Sequence, residues 1–175
     1  MPEGLEKDLT KQDLANVIAF VRSGTGANKP KSFAGNTPGI VRPEQLTQAL
    51  RLTARNCQIF GPNLVYESHF GNLGHWASPD DYALWQIEGL KAGRYRVLAT
   101  TAVPENLANQ KFRVEIGSAK VQGNVPSSSG WNYYKQFEVG TVEVADGVST
   151  VRVQASGEIN QYLMDLRELL LEPVR

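Results

Sequence analysis

Side-chain chemistry concentrates in the stretch Ser127-Ser128-Ser129-Gly130-Trp131-Asn132-Tyr133-Tyr134. A Trp and two Tyr within four positions carry too much apolar area to stand wholly in water. Asn132 and Lys135 beside them argue against a fully buried segment. Such a group belongs on the rim of a folded domain, behind a loop of small residues. In extended backbone Tyr133 and Tyr134 point to opposite sides, so at most one of them joins a cleft formed there.

Reactive groups elsewhere do not assemble into a catalytic pattern. The carboxylates Glu67, Asp80 and Asp81 are separated by turns that offer no acid/base pairing, and Asp80-Asp81 reads as the cap of a strand entry. There is no Ser, His, Asp order with a nucleophile elbow. His69 and His75 are the only imidazoles, and two ligands do not make a zinc site. Cys57 is alone, which excludes an internal disulfide and a thiolate cluster within one chain. Gly24-Thr25-Gly26 with Lys29 lacks the spacing and the preceding strand of a phosphate loop. The chain therefore reads as a non-enzyme. Eighteen basic against eighteen acidic residues leave no net charge, so no basic field marks a nucleic-acid partner. No apolar run approaches the ~20 residues of a membrane span, and the first residues lack the apolar core of a signal peptide.

The elements that position these groups follow from periodicity. At 175 residues the chain holds one domain with a sizeable core and an appendage. Thr10 to Ser23 predicts a helix: Thr10 caps it, Asp13 stands three residues on, Leu9 and Leu14 occupy the staple positions, and Gly24 stops it. Its stripe of Leu14, Val17, Ile18 and Val21 is too short to stand alone in water and must pack on something. Residues 25–44, rich in Gly, Pro, Asn and Lys, read as a linker or a loop laid over the surface.

From Gln45 the chain breaks into short strands with turn signals between them, eight or more, which means a sandwich. Tyr82–Ile87 and the period-two run from Tyr95 to Thr101 read as a hairpin about Leu90-Lys91-Ala92-Gly93, with Trp85 facing the core beside Ala83 and Ile87. Phe137–Val144 and Val148–Ala155 read as a second hairpin about Ala145-Asp146-Gly147. The apolar phase slips between Val139 and Val142, which predicts a bulge or bend at Gly140. Tyr162–Glu172 also fits a helical stripe through Leu163, Leu166, Leu169 and Leu170. It is read as the closing strand, because the last edge of the sandwich needs a partner and Pro173 ends the run.

Two resemblances extend this reading. Met1-Pro2 followed by a capped helix ending in Ala19-Phe20-Val21-Arg22 resembles the last segment of a class I c-type cytochrome, in which a Met before Pro is the distal haem ligand. The attachment motif Cys-x-x-Cys-His is absent, so this chain itself is expected to carry no haem. The resemblance implies an adjoining haem domain in a larger parent protein, and an extracytoplasmic setting, periplasmic or secreted.

The second covers residues 45–173. Asp81 before Tyr82-Ala83-Leu84-Trp85-Gln86-Ile87, then Ala92-Gly93-Arg94-Tyr95-Arg96-Val97, resembles the central pattern of family-six carbohydrate-binding modules. Ser129-Gly130-Trp131 resembles that family's Gly-Gly-Trp loop. Ala145-Asp146-Gly147 with Thr150-Val151-Arg152-Val153, and Leu163-Met164-Asp165-Leu166, resemble its last two strands. The resemblance implies a mainly β, jelly-roll β-sandwich (45–175) behind one N-terminal α-helix (1–24) and the 25–44 segment. It also implies a cleft at the loop end that stacks a sugar between aromatics. Carried over, the site residues are Trp131, Trp76 and Asn160, with Tyr133 as the tyrosine that joins them. An aromatic ring covers the apolar face of a pyranose while an amide exchanges hydrogen bonds with its hydroxyls. The other reading of Trp131 is a rim residue anchoring its loop, and of Trp76 a plug at the end of the barrel.

That family commonly holds a structural calcium with acidic residues of the first strand and an Asp of the last. Here Ala54-Arg55 stands in the first position, so calcium is not expected, and Arg55 is predicted to pair with Asp165 instead. The sequence thus predicts a non-catalytic module resembling a carbohydrate-binding domain. The alternative is a structural or docking domain packed on a redox or protein partner, and burial of both Trp76 and Trp131 would favour it.

Overall fold

The structure is a computed structural model that describes Thr10 and residues 29–174. The expected helix and the cytochrome-like segment lie outside the described residues, apart from Thr10. The adjoining haem domain, which rests on that segment, has no support within them. Twelve strands follow in chain order: β1 (Ile40–Val41), β2 (Leu50–Thr53), β3 (Gln58–Phe60), β4 (Val65–Glu67), β5 (Asn72–Gly74), β6 (Tyr82–Ile87), β7 (Gly93–Val103), β8 (Lys111–Ile116), β9 (Ala119–Asn124), β10 (Gly130–Val144), β11 (Thr150–Ala155) and β12 (Asp165–Pro173). They form two six-stranded sheets. The first runs β1-β6-β11-β8-β9, with β3 sharing the outer edge of β6. The second runs β10-β7-β12-β5-β4, with β2 pairing β12. Among the described residues no helix is long and apolar enough to cross a membrane.

Strict alternation places the core. Along β6, Ala83, Trp85 and Ile87 are buried while Tyr82, Leu84 and Gln86 are half-open, as the period of two requires. Trp85 is wholly buried, and its indole N–H donates to the Thr53 carbonyl at 2.8 Å and to Asn56 Oδ1 at 3.0 Å. From the other sheet, Tyr95, Val97 and Ala99 of β7 and Leu166, Leu169 and Leu171 of β12 complete the same cluster. From Asp165 on, the ambiguous closing segment is a strand, paired to β7 with a register shift between Leu166 and Glu168, and residues 162–164 precede it outside the strand. That shift breaks the period of two, which is why the sequence alone also fitted a helical stripe.

Both expected hairpins are corrected. β6 and β7 lie in different sheets, as do β10 and β11, so the turns at Leu90–Gly93 and Ala145–Gly147 carry the chain across the sandwich. Alternation reports which side of a strand is buried and not which sheet it joins, so a hairpin and an arch read alike. The two crossovers are tied to each other, the Ala92 N–H donating to Asp146 Oδ1 at 3.1 Å. The true hairpin of this region is β8–β9, closed from Ile116 to Ala119. The break at Gly140 is present: the β10–β7 register shifts between Glu138 and Gly140. Gly140 takes φ +152° there, and a Cβ would stand 2.8 Å from Val121 Cγ2.

Residues 31–44 lie over the surface and also join the fold. Lys31 bridges Ile59, β1 runs parallel to the end of β6, and the Asn36 amide donates to the carbonyls of Arg55 and Cys57 at 2.8 and 3.1 Å. The sandwich therefore begins before Gln45.

Candidate functional site

The aromatic stretch owes its position to a wide bulge. Gly130 pairs Val103 and Lys135 pairs Thr101, so the four residues Trp131–Tyr134 stand opposite Ala102 alone. The surplus backbone is thrown outward over the end of the second sheet. Ser128 fixes its root. Its N–H donates to the Val103 carbonyl at 3.0 Å, its hydroxyl accepts the Val103 N–H at 2.9 Å, and the same hydroxyl lies 3.0 Å from the Gly130 carbonyl. The expected small loop is thus a pinned strand entry, with Ser129 in the left-handed region at φ +74°.

Two other segments meet it. The β4–β5 turn brings Glu67, Phe70 and, just past β5, His75; the segment before β12 brings Tyr162 and then Asp165. With Trp131, Asn132 and Tyr134 they line a cleft of about 300 Å³. His75 and Gln161 also hold left-handed backbone, φ +58° and +61°. Three of the five non-glycine residues with positive φ among the described residues thus lie in or beside the aromatic wall, where strain is kept when it aims side chains. Trp131 meets Tyr162 edge to face at 6.3 Å and 84°, and Tyr162 meets His75 the same way at 6.0 Å and 88°. Tyr134 is covered by the Arg167 guanidinium, 3.5 Å from the ring centre, while Arg167 Nη2 donates to the Phe70 carbonyl at 3.3 Å.

Two carboxylates form the polar part of the cleft. Glu67 Oε2 accepts the Asn72 amide at 2.7 Å, and Glu67 Oε1 lies 3.7 Å from His75 Nε2. Asp165 has no side-chain hydrogen bond or ion pair among the described residues. Gly74 lets the pair converge: a Cβ there would strike the Glu67 carboxylate and stand 3.1 Å from Asp165 Oδ1. Burial, with Glu67 beside it, pushes the Asp165 carboxyl up to about 7. Burial and the nearby Asp165 also push the Tyr134 phenol up to about 12, so it stays protonated and able to donate.

Of the four residues expected at the site, Trp131 alone lines this cleft. Trp76 is corrected to the core: it is wholly buried, its indole N–H donating to the Asp81 carbonyl at 3.0 Å. The plug reading describes it. Tyr133 is 66% exposed and outside the cleft lining, because the bulge breaks the alternation and brings Tyr134, not Tyr133, to the side of Trp131. Asn160 presents backbone, not amide, to its neighbour: its N–H donates to Gln110 Oε1 at 2.7 Å and its carbonyl accepts from Gln110 Nε2 at 3.2 Å. Its loop delivers Tyr162 instead. The expected Arg55–Asp165 pair is also corrected. Arg55 sits exposed on the short 3-10 turn Ala54–Asn56, and Asp165 faces Glu67. Among the described residues no group of three His, Cys, Asp or Glu is placed to hold a metal ion.

Tyr134 was legible as part of the aromatic stretch, and Glu67 and Asp165 as separate carboxylates, but nothing in the sequence brought them together with Phe70 and Tyr162. The one usable signal was a turn marker beside three of them, Gly71 after Glu67 and Phe70 and Asn160-Gln161 before Tyr162.

No protein-family model matches the chain, and no curated protein matches it. Solved structures do. The C-terminal CBM6 of a marine laminarinase from Zobellia galactanivorans aligns with a TM-score of 0.57 at 16% identity, over 71% of this chain and 98% of that one. The CBM35 of Abf62 from Cellvibrio japonicus aligns at 0.57 and 18%, over 73% and 94%. A carbohydrate-binding module of the Cellvibrio mixtus lichenase 5A, solved with cellotriose, aligns at 0.54 and 15%, over 71% and 97%. At these identities the likeness is one of fold: the chain is a mainly β sandwich of the kind seen in carbohydrate-binding modules.

Proposed function

We propose that the chain is a non-catalytic carbohydrate-binding module, part of a larger extracytoplasmic protein, whose site is the cleft of Trp131, Tyr134, Tyr162, Glu67 and Asp165. The observation that carries the reading is the open aromatic wall. Trp131 is half-buried, propped at right angles by Tyr162, and faces a cleft whose remaining lining supplies Asn132, His75 and two carboxylates. A pyranose needs an apolar plate for its C–H face and a few donors and acceptors for its hydroxyls, and this cleft holds both. The fold shared with the cellotriose-bound module supports the reading.

The docking alternative asked for both indoles to be buried. Trp76 meets that condition and Trp131 does not.

The test is retention of the intact chain in affinity gels that each contain one soluble polysaccharide. At least one gel is expected to retard it, and Trp131→Ala to abolish the retardation while keeping a cooperative melting transition. An affinity near millimolar, about 4 kcal/mol, suits one stacked ring and a few net hydrogen bonds. A chain retarded by no polysaccharide overturns the reading.

A further inference from the structure

Resting on that reading, we propose that the saccharide is an amino sugar, its ammonium group seated between Glu67 and Asp165 while the ring lies on Trp131. The lining of the cleft contains two carboxylates and no Lys or Arg. Both carboxylates crowd the point left free by Gly74, and Asp165 has no protein donor among the described residues. Arg167, which packs on Tyr134 of the cleft, is engaged with that ring and the Phe70 carbonyl. His75 reaches only Glu67, at 3.7 Å.

Two carboxylates side by side in a half-buried cleft disfavour each other's charge; a proton on Asp165 relieves this at low pH, and once both are ionised the group that relieves both is a cation. A neutral hydroxyl donates one proton and leaves the repulsion in place. An ammonium carries three donors and a full charge, so it can bridge Glu67 and Asp165 at once. The aromatic wall favours the same ligand, because the negative ring faces of Trp131 and Tyr162 attract a cation nearby. A metal ion would find two carboxylates and one imidazole, and these are not arranged as a metal group.

The experiment is calorimetric titration of the whole chain at pH 7 and low salt. The probes are a glucosamine oligomer, its fully N-acetylated counterpart, and a glucose oligomer of equal length. The glucosamine oligomer is expected to bind about tenfold tighter than either neutral one, and about 0.5 M salt to shrink that ratio. Glu67→Gln and Asp165→Asn should each bring the ratio towards one; both variants are isosteric, and a melting transition checks their folding. If a neutral oligomer binds as well as glucosamine, or if both variants keep the preference, the amino-sugar inference is overturned and the saccharide reading stands. Should none of the three bind while polysaccharide gels still retard the chain, the inference again falls alone. Failure in both assays removes the saccharide reading with it. Tighter binding of a neutral oligomer on addition of calcium, with no preference for the amine, would replace the ammonium by a metal ion and overturn the inference.

Discussion

Asp81 and Asp165 stand beside the two tryptophans outside β6 and are satisfied in opposite ways. Asp81 is wholly buried, and its carboxylate accepts four backbone N–H groups: Asn63 and Leu64 at 2.9 and 3.0 Å on Oδ1, Ala77 and Ser78 at 3.2 and 2.9 Å on Oδ2. Its own carbonyl takes the Trp76 indole. Two loops and one Trp are thereby closed on themselves, with nothing left to offer a ligand. Asp165 is half-open, accepts no such donor, and shares its end of the cleft with Glu67 and the exposed side of Trp131. A buried carboxylate that collects backbone donors builds the architecture. One left without donors in an aromatic cleft keeps its hydrogen-bonding capacity for something from outside.

Four substitutions sharpen the comparison. Trp76→Ala should have the largest effect, about 3–5 kcal/mol lost by chemical denaturation, because a filled core position becomes a cavity. The same change at Trp131 should cost about 1 kcal/mol. Equal losses at the two sites would break the comparison.

Asp165→Asn comes next, and its sign is opposite. The folded-state carboxyl titrates at about 7, above its ordinary 3.8, so its contribution to stability is complete below about pH 4 and is lost as pH rises through 7. The amide removes that loss. Variant and parent should match near pH 4, and near pH 8 the variant should be more stable. The full shift corresponds to about 4 kcal/mol, and screening by the open cleft reduces the expected gain to about 2 kcal/mol. Denaturation midpoints at the two pH values check it, and a variant less stable at pH 8 would show that the carboxylate has a partner.

The smallest effect is expected at Arg55→Ala. The side chain is exposed and makes no ion pair among the described residues, so the denaturation midpoint should not move. A clear loss of stability would restore the strand-to-strand pair with Asp165 that the geometry denies.

Much of the fold was legible in the residues themselves. Alternation marked the strands and the inward face of Trp85, Gly140 marked the bulge, and Pro173 marked the end of β12. These are local properties: side chains alternate across a strand, and glycine tolerates the positive φ that a bulge requires. The same local rule stated that only one of Tyr133 and Tyr134 could enter a cleft.

Which one enters was decided by the tertiary structure, because the bulge opposite Ala102 sets the phase of the whole aromatic run. Sheet membership was decided there too. The turns at Leu90–Gly93 and Ala145–Gly147 become arches only because the two sheets must bury their apolar faces against each other. The site itself is wholly a product of that packing. Glu67, Tyr134, Tyr162 and Asp165 come from three distant stretches of chain, and no one of them by itself points to the others. Composition and period set the sandwich and its core residue by residue. The cleft, and the fate of each tryptophan within or outside it, followed from long-range pairing that no local pattern encodes.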